Sequence, residues 1–312
     1  MRARQRFRTG AAAVALLCAA AFAGGCSASV PADGTRSVPA ASKPGPRPTP
    51  KPAPKPTPKP APVWNVSPGS VAAVGDSITR AYDACTVLAD CPEVSWATGT
   101  DAAVNSLALR LLGPGGVAGR SWNLARSGAR MAELPEQMAA AAARRPELVT
   151  VMMGANDACR ARAEDMTPVA DFRASFTAAL GKLRAGAPKA QVYVSSVPDL
   201  RRLWETGRVV PMGRQVWKLG VCGSMLADPE DLGPAAEARR RTVRDRVVAY
   251  NGVLREVCAK DPHCRYDGGA VFAFAFGPAQ LSPWDFFHPG RDGQARLAEI
   301  AYRQVTASGP PR

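Results

Sequence analysis

Histidine is almost missing from this chain. Only His263 and His288 occur among 312 residues, so any imidazole chemistry has two possible seats. No two cysteines are spaced C-x-x-C, and His263 is the only histidine near one, which argues against a zinc site. Phosphate-binding glycine loops, dinucleotide fingerprints and clustered metal ligands are also missing, so no cofactor and no metal is expected. The apolar run Gly10–Ala23 has 14 residues, short of the roughly 20 that a bilayer span needs. Acid is scarce at one end only. Residues 1–62 hold ten Lys or Arg and one acid, Asp33, and so carry +9 of the chain's +14. The other 250 residues carry only +5, with both signs mixed. Such a body has no strong footprint for phosphates, and no nucleic-acid partner is expected. Collagen-like, coiled-coil and mostly disordered classes are excluded for the body, which is long enough to bury one core.

The N-terminal region is read in three parts. Residues 1–9 contain four Arg and no acid, and the short apolar run follows, as in a secretory signal peptide. Ala21-Phe22-Ala23 offers an A-x-A cleavage site, and Ala23-Gly24-Gly25-Cys26 resembles a bacterial lipoprotein box with Ala where Leu is usual. Cleavage after Ala23 leaves seven cysteines, an odd number for an exported protein, and acylation of Cys26 leaves six. Residues 1–26 are therefore expected to be a signal peptide with a lipobox-like end, and Cys26 a lipid anchor to the membrane. A secreted protein with one spare cysteine is the alternative. Residues 27–62 form a Pro/Lys-rich spacer with 12 Pro between positions 31 and 62. It should run as polyproline II, reaching on the order of 100 Å at about 3.1 Å per residue. Residues 63–312 are the candidate globular domain, expected to be exported and monomeric.

In that body, short apolar runs alternate with amphipathic stretches. Candidate strands are Ser70–Val74, Ser121–Ala125, Leu148–Met153, Gln191–Ser196 and Ala270–Phe276. Strands apolar on nearly every residue are buried on both faces, as in a parallel sheet. Helices are expected over Asp101–Leu112, Ala132–Arg144, Pro168–Ala185, Pro234–Lys260 and Gly290–Thr306. In Pro168–Ala185, Phe172, Phe176, Ala179, Leu180 and Leu183 recur at three- and four-residue steps and mark one buried face. The expected fold is α/β, a three-layer α/β/α sandwich around a mostly parallel five-stranded sheet. Six cysteines, Cys85, Cys91, Cys159, Cys222, Cys258 and Cys264, allow fifteen disulfide pairings. The set with two local loops, Cys85–Cys91 and Cys258–Cys264, leaves Cys159–Cys222 as the long bridge.

Sites in such sheets lie at the carboxyl ends of the strands. Four motifs fall there: Gly75-Asp76-Ser77-Ile78-Thr79, Asn123-Leu-Ala-Arg-Ser-Gly128, Gly154-Ala-Asn156-Asp157 and Asp285-Phe-Phe-His288-Pro. Ser77 needs a base to become nucleophilic. His288 lies in an aromatic setting at a helix entrance, whereas His263 reads as a surface residue beside a disulfide. Asp285, three residues before His288, can reach its Nδ1 and fix the tautomer, or simply cap a helix.

Together the four motifs resemble the SGNH (GDSL) hydrolase family over about Val71 to Ala301. Ser95-Trp96-Ala-Thr-Gly99, Asn156-Asp157-Ala-Cys159 and Ser196-Val-Pro-Asp199 look like its phospholipase B-like branch. The resemblance implies an oxyanion hole made by the Ser77 N–H, the Gly128 N–H and the Asn156 amide. It also implies a serine ester hydrolase acting on a lipid or other acyl ester. Short-chain or carbohydrate acetyl esters, transfer of the acyl group to another alcohol, and a non-catalytic cell-surface binding module are the other readings. Asp76 and Asp157 are expected to tie down loops. Arg126 and Ser127 flank Gly128, Trp284 and Phe286 are candidates for an acyl pocket, and Trp96, Phe287 and the Met152-Met153 pair are expected in the core.

Overall fold

The computed structural model describes Gly45 and residues 62–310. Cys26, the signal segment and the greater part of the spacer lie outside the described residues. In chain order the elements are β1 (Val71–Gly75), α1 (Leu107–Leu112), α2 (Pro114–Arg120), β2 (Ser121–Asn123), α3 (Leu134–Arg144), β3 (Leu148–Met152), α4 (Ala155–Ala158), α5 (Val169–Gly186), β4 (Gln191–Val194), α6 (Leu200–Gly207), α7 (Pro211–Trp217), α8 (Gly223–Leu226), α9 (Pro234–Cys258), β5 (Cys264–Tyr266), α10 (Ala270–Ala273) and α11 (Arg291–Thr306). The five strands form one sheet in the order β2-β1-β3-β4-β5, parallel at every pairing.

That order dictates the layers. Parallel crossovers are right-handed, so reversing the direction of travel along the sheet changes the face on which the connecting helix lies. The chain moves from β1 to β2 one way and from β2 through β3 and β4 to β5 the other way. Accordingly α3, α5 and α9 pack side by side in one layer, while α1 and α11 meet in the other. Residues Val71–Val74 have no exposed surface, as a central strand covered on both sides requires. The helical stripe of α5 is buried as its periodicity implies, with Phe172 stacked on Tyr250 of α9 at 4.1 Å between ring centroids.

One expected strand is a different element. Ala270–Phe276 does not join the sheet: Ala270–Ala273 is the short helix α10, and the fifth strand is Cys264–Tyr266. Asp267 explains the change of direction. Its carboxylate accepts the N–H groups of Gly269 and Val271 at 2.8 and 3.1 Å and the Ser196 hydroxyl at 2.8 Å, turning the chain into a helix as it leaves β5. β5 was hidden because it carries Arg265. That guanidinium lies 4.2 Å over the Trp64 ring and donates to the carbonyls of Gln304 and Ala307 at 2.9 and 2.8 Å. Stacking and pairing of this kind let a charged residue occupy a strand.

Helix α1 is shorter than expected because Ser106 caps it, accepting from Leu109 N–H at 3.1 Å. Helices α6 and α7 arise in a stretch with no clear expectation; Asp199 caps α6 through the N–H groups of Arg201 and Arg202. Disulfides join Cys85 to Cys91, Cys159 to Cys222 and Cys258 to Cys264. They are compatible with export to an oxidising compartment. No helix among the described residues is long and apolar enough to cross a membrane.

Candidate active site

The four motifs converge at the carboxyl ends of β1, β2 and β3. β1 lies between β2 and β3, where the strand order reverses, and a crevice opens at such a point. The turn after β1 is held by side chains distant in sequence. Gln137 of α3 bonds both backbone groups of Gly75, accepting its N–H at 2.8 Å and donating to its carbonyl at 3.0 Å. Gln294 of α11 donates to Ile78 O at 2.9 Å and accepts Trp96 N–H at 2.9 Å. Asn123 at the end of β2 donates to Thr79 O at 2.9 Å. Ser77 is thereby fixed just past the carboxyl end of β1, 7 % exposed.

The Ser77 hydroxyl lies 2.8 Å from His288 Nε2, and His288 Nδ1 lies 2.5 Å from Asp285 Oδ2. The other Asp285 oxygen accepts the backbone N–H groups of Phe287 and His288 at 2.9 and 3.0 Å. The Asp285 carboxylate thus both caps the turn and bonds the imidazole. Burial alone would raise the Asp285 carboxyl, but the hydrogen bond and charge of His288, with the two N–H donors, hold it below the usual carboxylate range. Burial likewise pulls the His288 imidazole down, yet the hydrogen bond and charge of Asp285 raise it above the ordinary histidine value. Trp217 clamps the same loop by donating its indole N–H to Asp285 O at 2.8 Å.

Around Ser77 are groups suited to hold an oxyanion. The backbone N–H groups of Ser77 and Gly128 have no acceptor among the described residues. Gly128 takes φ +80, and a Cβ there would point into open space, leaving its backbone accessible. Asn156, in the first turn of α4, spends one amide proton on Ala129 O at 3.0 Å, which leaves the second available. The preceding Gly154 permits this: at φ +128, a Cβ would meet Val197 Cγ2 at 2.8 Å.

The remaining motif residues separate into supports and bystanders. Asp76 accepts Ile78 N–H at 3.0 Å and is wholly buried, and burial pushes its carboxyl up to about 7. Asp157, also buried, accepts Met131 N–H at 2.9 Å, and burial raises it as well. Both tie loops. Arg126 pairs with exposed Glu136 at 2.6 Å, and Ser127 Oγ bonds the Asp90 carboxylate. Trp96, Phe287, Met152 and Met153 are core residues. Trp284 is 46 % exposed beside Asp285, while Phe286 packs on Gly213 of α7. His263 precedes β5, at the amino end of the sheet, opposite His288. A 230 Å³ cavity lined in part by Asn251, Arg255, Tyr266 and Phe272 flanks β5 and holds no such constellation.

Sequence reasoning missed Gln137, Gln294, Trp217 and Asp83. The glutamines and Trp217 sit in helices, where they read as surface or core. Asp83 sits beside a disulfide loop, where an acid normally faces solvent.

A serine, a histidine and an acid in bonding sequence on a doubly wound parallel sheet are the equipment of a hydrolase. The chain belongs to the GDSL-like lipase/acylhydrolase family, whose family model matches residues 73–296. No curated protein matches the sequence. Similar solved structures include a protein described as a GDSL-like lipase from Parabacteroides merdae, 18 % identical, with 80 % of this chain and 100 % of that chain covered and a TM-score of 0.47. An extracellular lipase from Streptomyces rimosus is 18 % identical over 76 % of this chain and 99 % of its own, with a TM-score of 0.44. A family two carbohydrate esterase from Cellvibrio japonicus is 14 % identical over 80 % and 64 %, with a TM-score of 0.43.

Proposed function

We propose that this hydrolase cleaves carboxylic esters through an acyl-enzyme on Ser77. The carrying observation is the unbroken relay of Ser77 Oγ, His288 and Asp285, at 2.8 and 2.5 Å. His288 takes the hydroxyl proton as Ser77 attacks the ester carbonyl, and Asp285 stabilises the imidazolium that forms. The N–H groups of Ser77 and Gly128 and the Asn156 amide meet the oxyanion. The imidazolium then protonates the leaving alcohol. In the second half, His288 activates a water that releases the acid and frees Ser77.

The substrate we favour is a lipid or phospholipid acyl ester. Exposed Trp284 beside Asp285, and Leu88, 76 % exposed on a loop tied to the same site through Asp83, supply apolar surface for an acyl chain. We further propose that residues 1–26 direct export, that acylated Cys26 anchors the chain, and that residues 27–62 hold a monomeric hydrolase domain, residues 63–312, away from the membrane. Mass spectrometry should find a diacylglyceryl group on Cys26; an unmodified start at Gly24 would remove the anchor.

The deciding experiment is hydrolysis of p-nitrophenyl esters with two to sixteen acyl carbons by the wild type and Ser77→Ala. Activity should fall by about 10⁴-fold or more in the variant, as for other serine nucleophiles. Preference for long chains fits a lipid substrate, and preference for acetate would move the assignment to an acetyl esterase. Equal rates in both proteins would end the Ser77 mechanism.

A further inference from the structure

A second acid lies against the Asp285–His288 pair. Asp83 follows the nucleophile turn, takes φ +58 and is 2 % exposed. A carboxylate oxygen of Asp83, one of Asp285 and a ring nitrogen of His288 all fall within 4.8 Å of one another. Asp83 is fixed from three directions. Its N–H donates to Ala89 O at 3.0 Å, its Oδ1 accepts Leu88 N–H, and its carbonyl accepts the Ser282 hydroxyl at 2.7 Å. Ser282 in turn donates its N–H to His288 O at 2.8 Å. The loop closed by Cys85–Cys91 and the loop carrying Asp285 and His288 therefore meet at this one residue.

Two nearly dry carboxylates within 4.8 Å repel when both are ionised; one proton between them replaces repulsion with a hydrogen bond. Asp285 is the better anion, because it faces the imidazole and accepts two backbone N–H groups. Asp83 has one such donor. The titratable groups that face it are Asp285 and His288 on the opposing loop and Tyr82 on its own; Asp90 acts on Tyr82, and Asp76 acts on His288. Asp90 is already engaged by Arg80 at 2.9 Å. Burial and the Asp285 charge both push the Asp83 carboxyl up.

Building on the esterase reading, we propose that Asp83 is a positioning residue: as a neutral acid it donates a hydrogen bond to Asp285 and keeps the Asp285–His288 pair aimed at Ser77. Ester turnover then needs the Asp83 proton in place, and its loss sets a second anion beside Asp285.

Asp83→Asn and Asp83→Ala test this. Asn retains an oxygen for Leu88 N–H and a donor for Asp285, without an ionisable proton; Ala retains neither. On p-nitrophenyl butyrate, kcat should fall at least tenfold in Asp83→Ala with KM within threefold, and stay within threefold of wild type in Asp83→Asn. The wild-type profile should decline on its high-pH side as Asp83 ionises, and Asp83→Asn should lack that decline. Full activity in Asp83→Ala, equal impairment of both variants, or the same high-pH decline in Asp83→Asn would overturn the proposal. Proton NMR gives a readout without turnover, since the chain has two histidines and His263→Gln identifies the His288 Cε1–H signal. Its titration should have one inflection fewer in Asp83→Asn than in wild type; superimposable curves would also overturn it. If Ser77→Ala hydrolyses esters normally, the esterase reading falls while the NMR comparison still decides the role of Asp83. If Asp83→Ala does not fold, the comparison of Asn with wild type decides.

Discussion

The two ends of the sheet carry matching parts and use them differently. Each has one histidine, and each has a small disulfide loop with a sequence separation of 6. At the amino end, Cys258–Cys264 ties the last turn of α9 to the first residue of β5, and His263 lies between. Its main chain is occupied: the N–H donates to Asp261 Oδ1 at 2.9 Å, and the carbonyl accepts Val192 N–H at 2.8 Å. At the carboxyl end, Cys85–Cys91 closes a loop that packs on the His288 segment through Asp83 and Ser282. The same covalent device serves continuity of the fold at one end and geometry of the site at the other. Composition cannot distinguish the loops; what faces them does.

Replacing the histidines should give the widest separation. His288→Ala is expected to lower kcat/KM by about 10⁴-fold or more, the scale seen when a relay member is lost. His263→Ala should change it less than twofold. Steady-state hydrolysis of a p-nitrophenyl ester measures both, and comparable losses would erase the contrast between the two ends. The pH profile adds a sign. Because His288 titrates above the ordinary histidine value, the rise in wild-type activity should be centred above pH 6.5, as the imidazole becomes free to accept a proton.

Buried acid is the second difference. The carboxyl end holds Asp76, Asp83, Asp157 and Asp285, all nearly inaccessible. Asp261 at the amino end is paired with Arg184 at 2.7 Å. Asp76 shifts from 3.8 to about 7 on folding, so the folded chain binds more protons than the unfolded one between those values. Its contribution favours the folded state at low pH and is lost as pH climbs through that window, a change of about 2–3 kcal/mol between pH 5 and pH 8. Asp76→Asn keeps an acceptor for Ile78 N–H and cannot ionise. Urea denaturation at the two pH values should show a flatter dependence in the variant by about that amount. Parallel dependences would mean that Asp76 ionises in the folded protein as readily as in solvent.

The same contrast explains what the sequence made legible. β1, β3 and β4 announced themselves because central parallel strands are apolar throughout, and Val71–Val74 is the clearest case. β5 did not, since its buried Arg265 owes its place to Trp64 and to two carbonyls near the chain's other end. Ser77, Asn156 and His288 were legible through short local motifs, and Asp285 through its three-residue spacing from His288. Gln137, Gln294 and Asp83 were not, because their roles come from partners brought together by folding. Gln137 meets Gly75 across 62 residues and Gln294 meets Ile78 across 216. A local pattern encodes the proposed reacting groups, and the tertiary fold encodes what surrounds them.

The narrowest test removes one small disulfide at a time. Equal loop lengths imply equal entropic stabilisation, about 2 kcal/mol each in the chain-entropy account, and less than the 63-residue separation of Cys159 and Cys222 provides. Cys85→Ser/Cys91→Ser and Cys258→Ser/Cys264→Ser should therefore lose similar stability in denaturant titration. Their kinetics should diverge. Freeing Cys258–Cys264 loosens the joint of α9 and β5, far from Ser77, and kcat should stay within twofold. Freeing Cys85–Cys91 releases Leu88 and Ala89, the backbone partners of Asp83, and with them the support behind Asp285. Small misplacements of a base reduce turnover steeply, so about a tenfold fall in kcat is expected. If both variants lose rate alike, the Cys85–Cys91 loop is a staple like its counterpart, and the site owes its geometry to the sheet and helices alone.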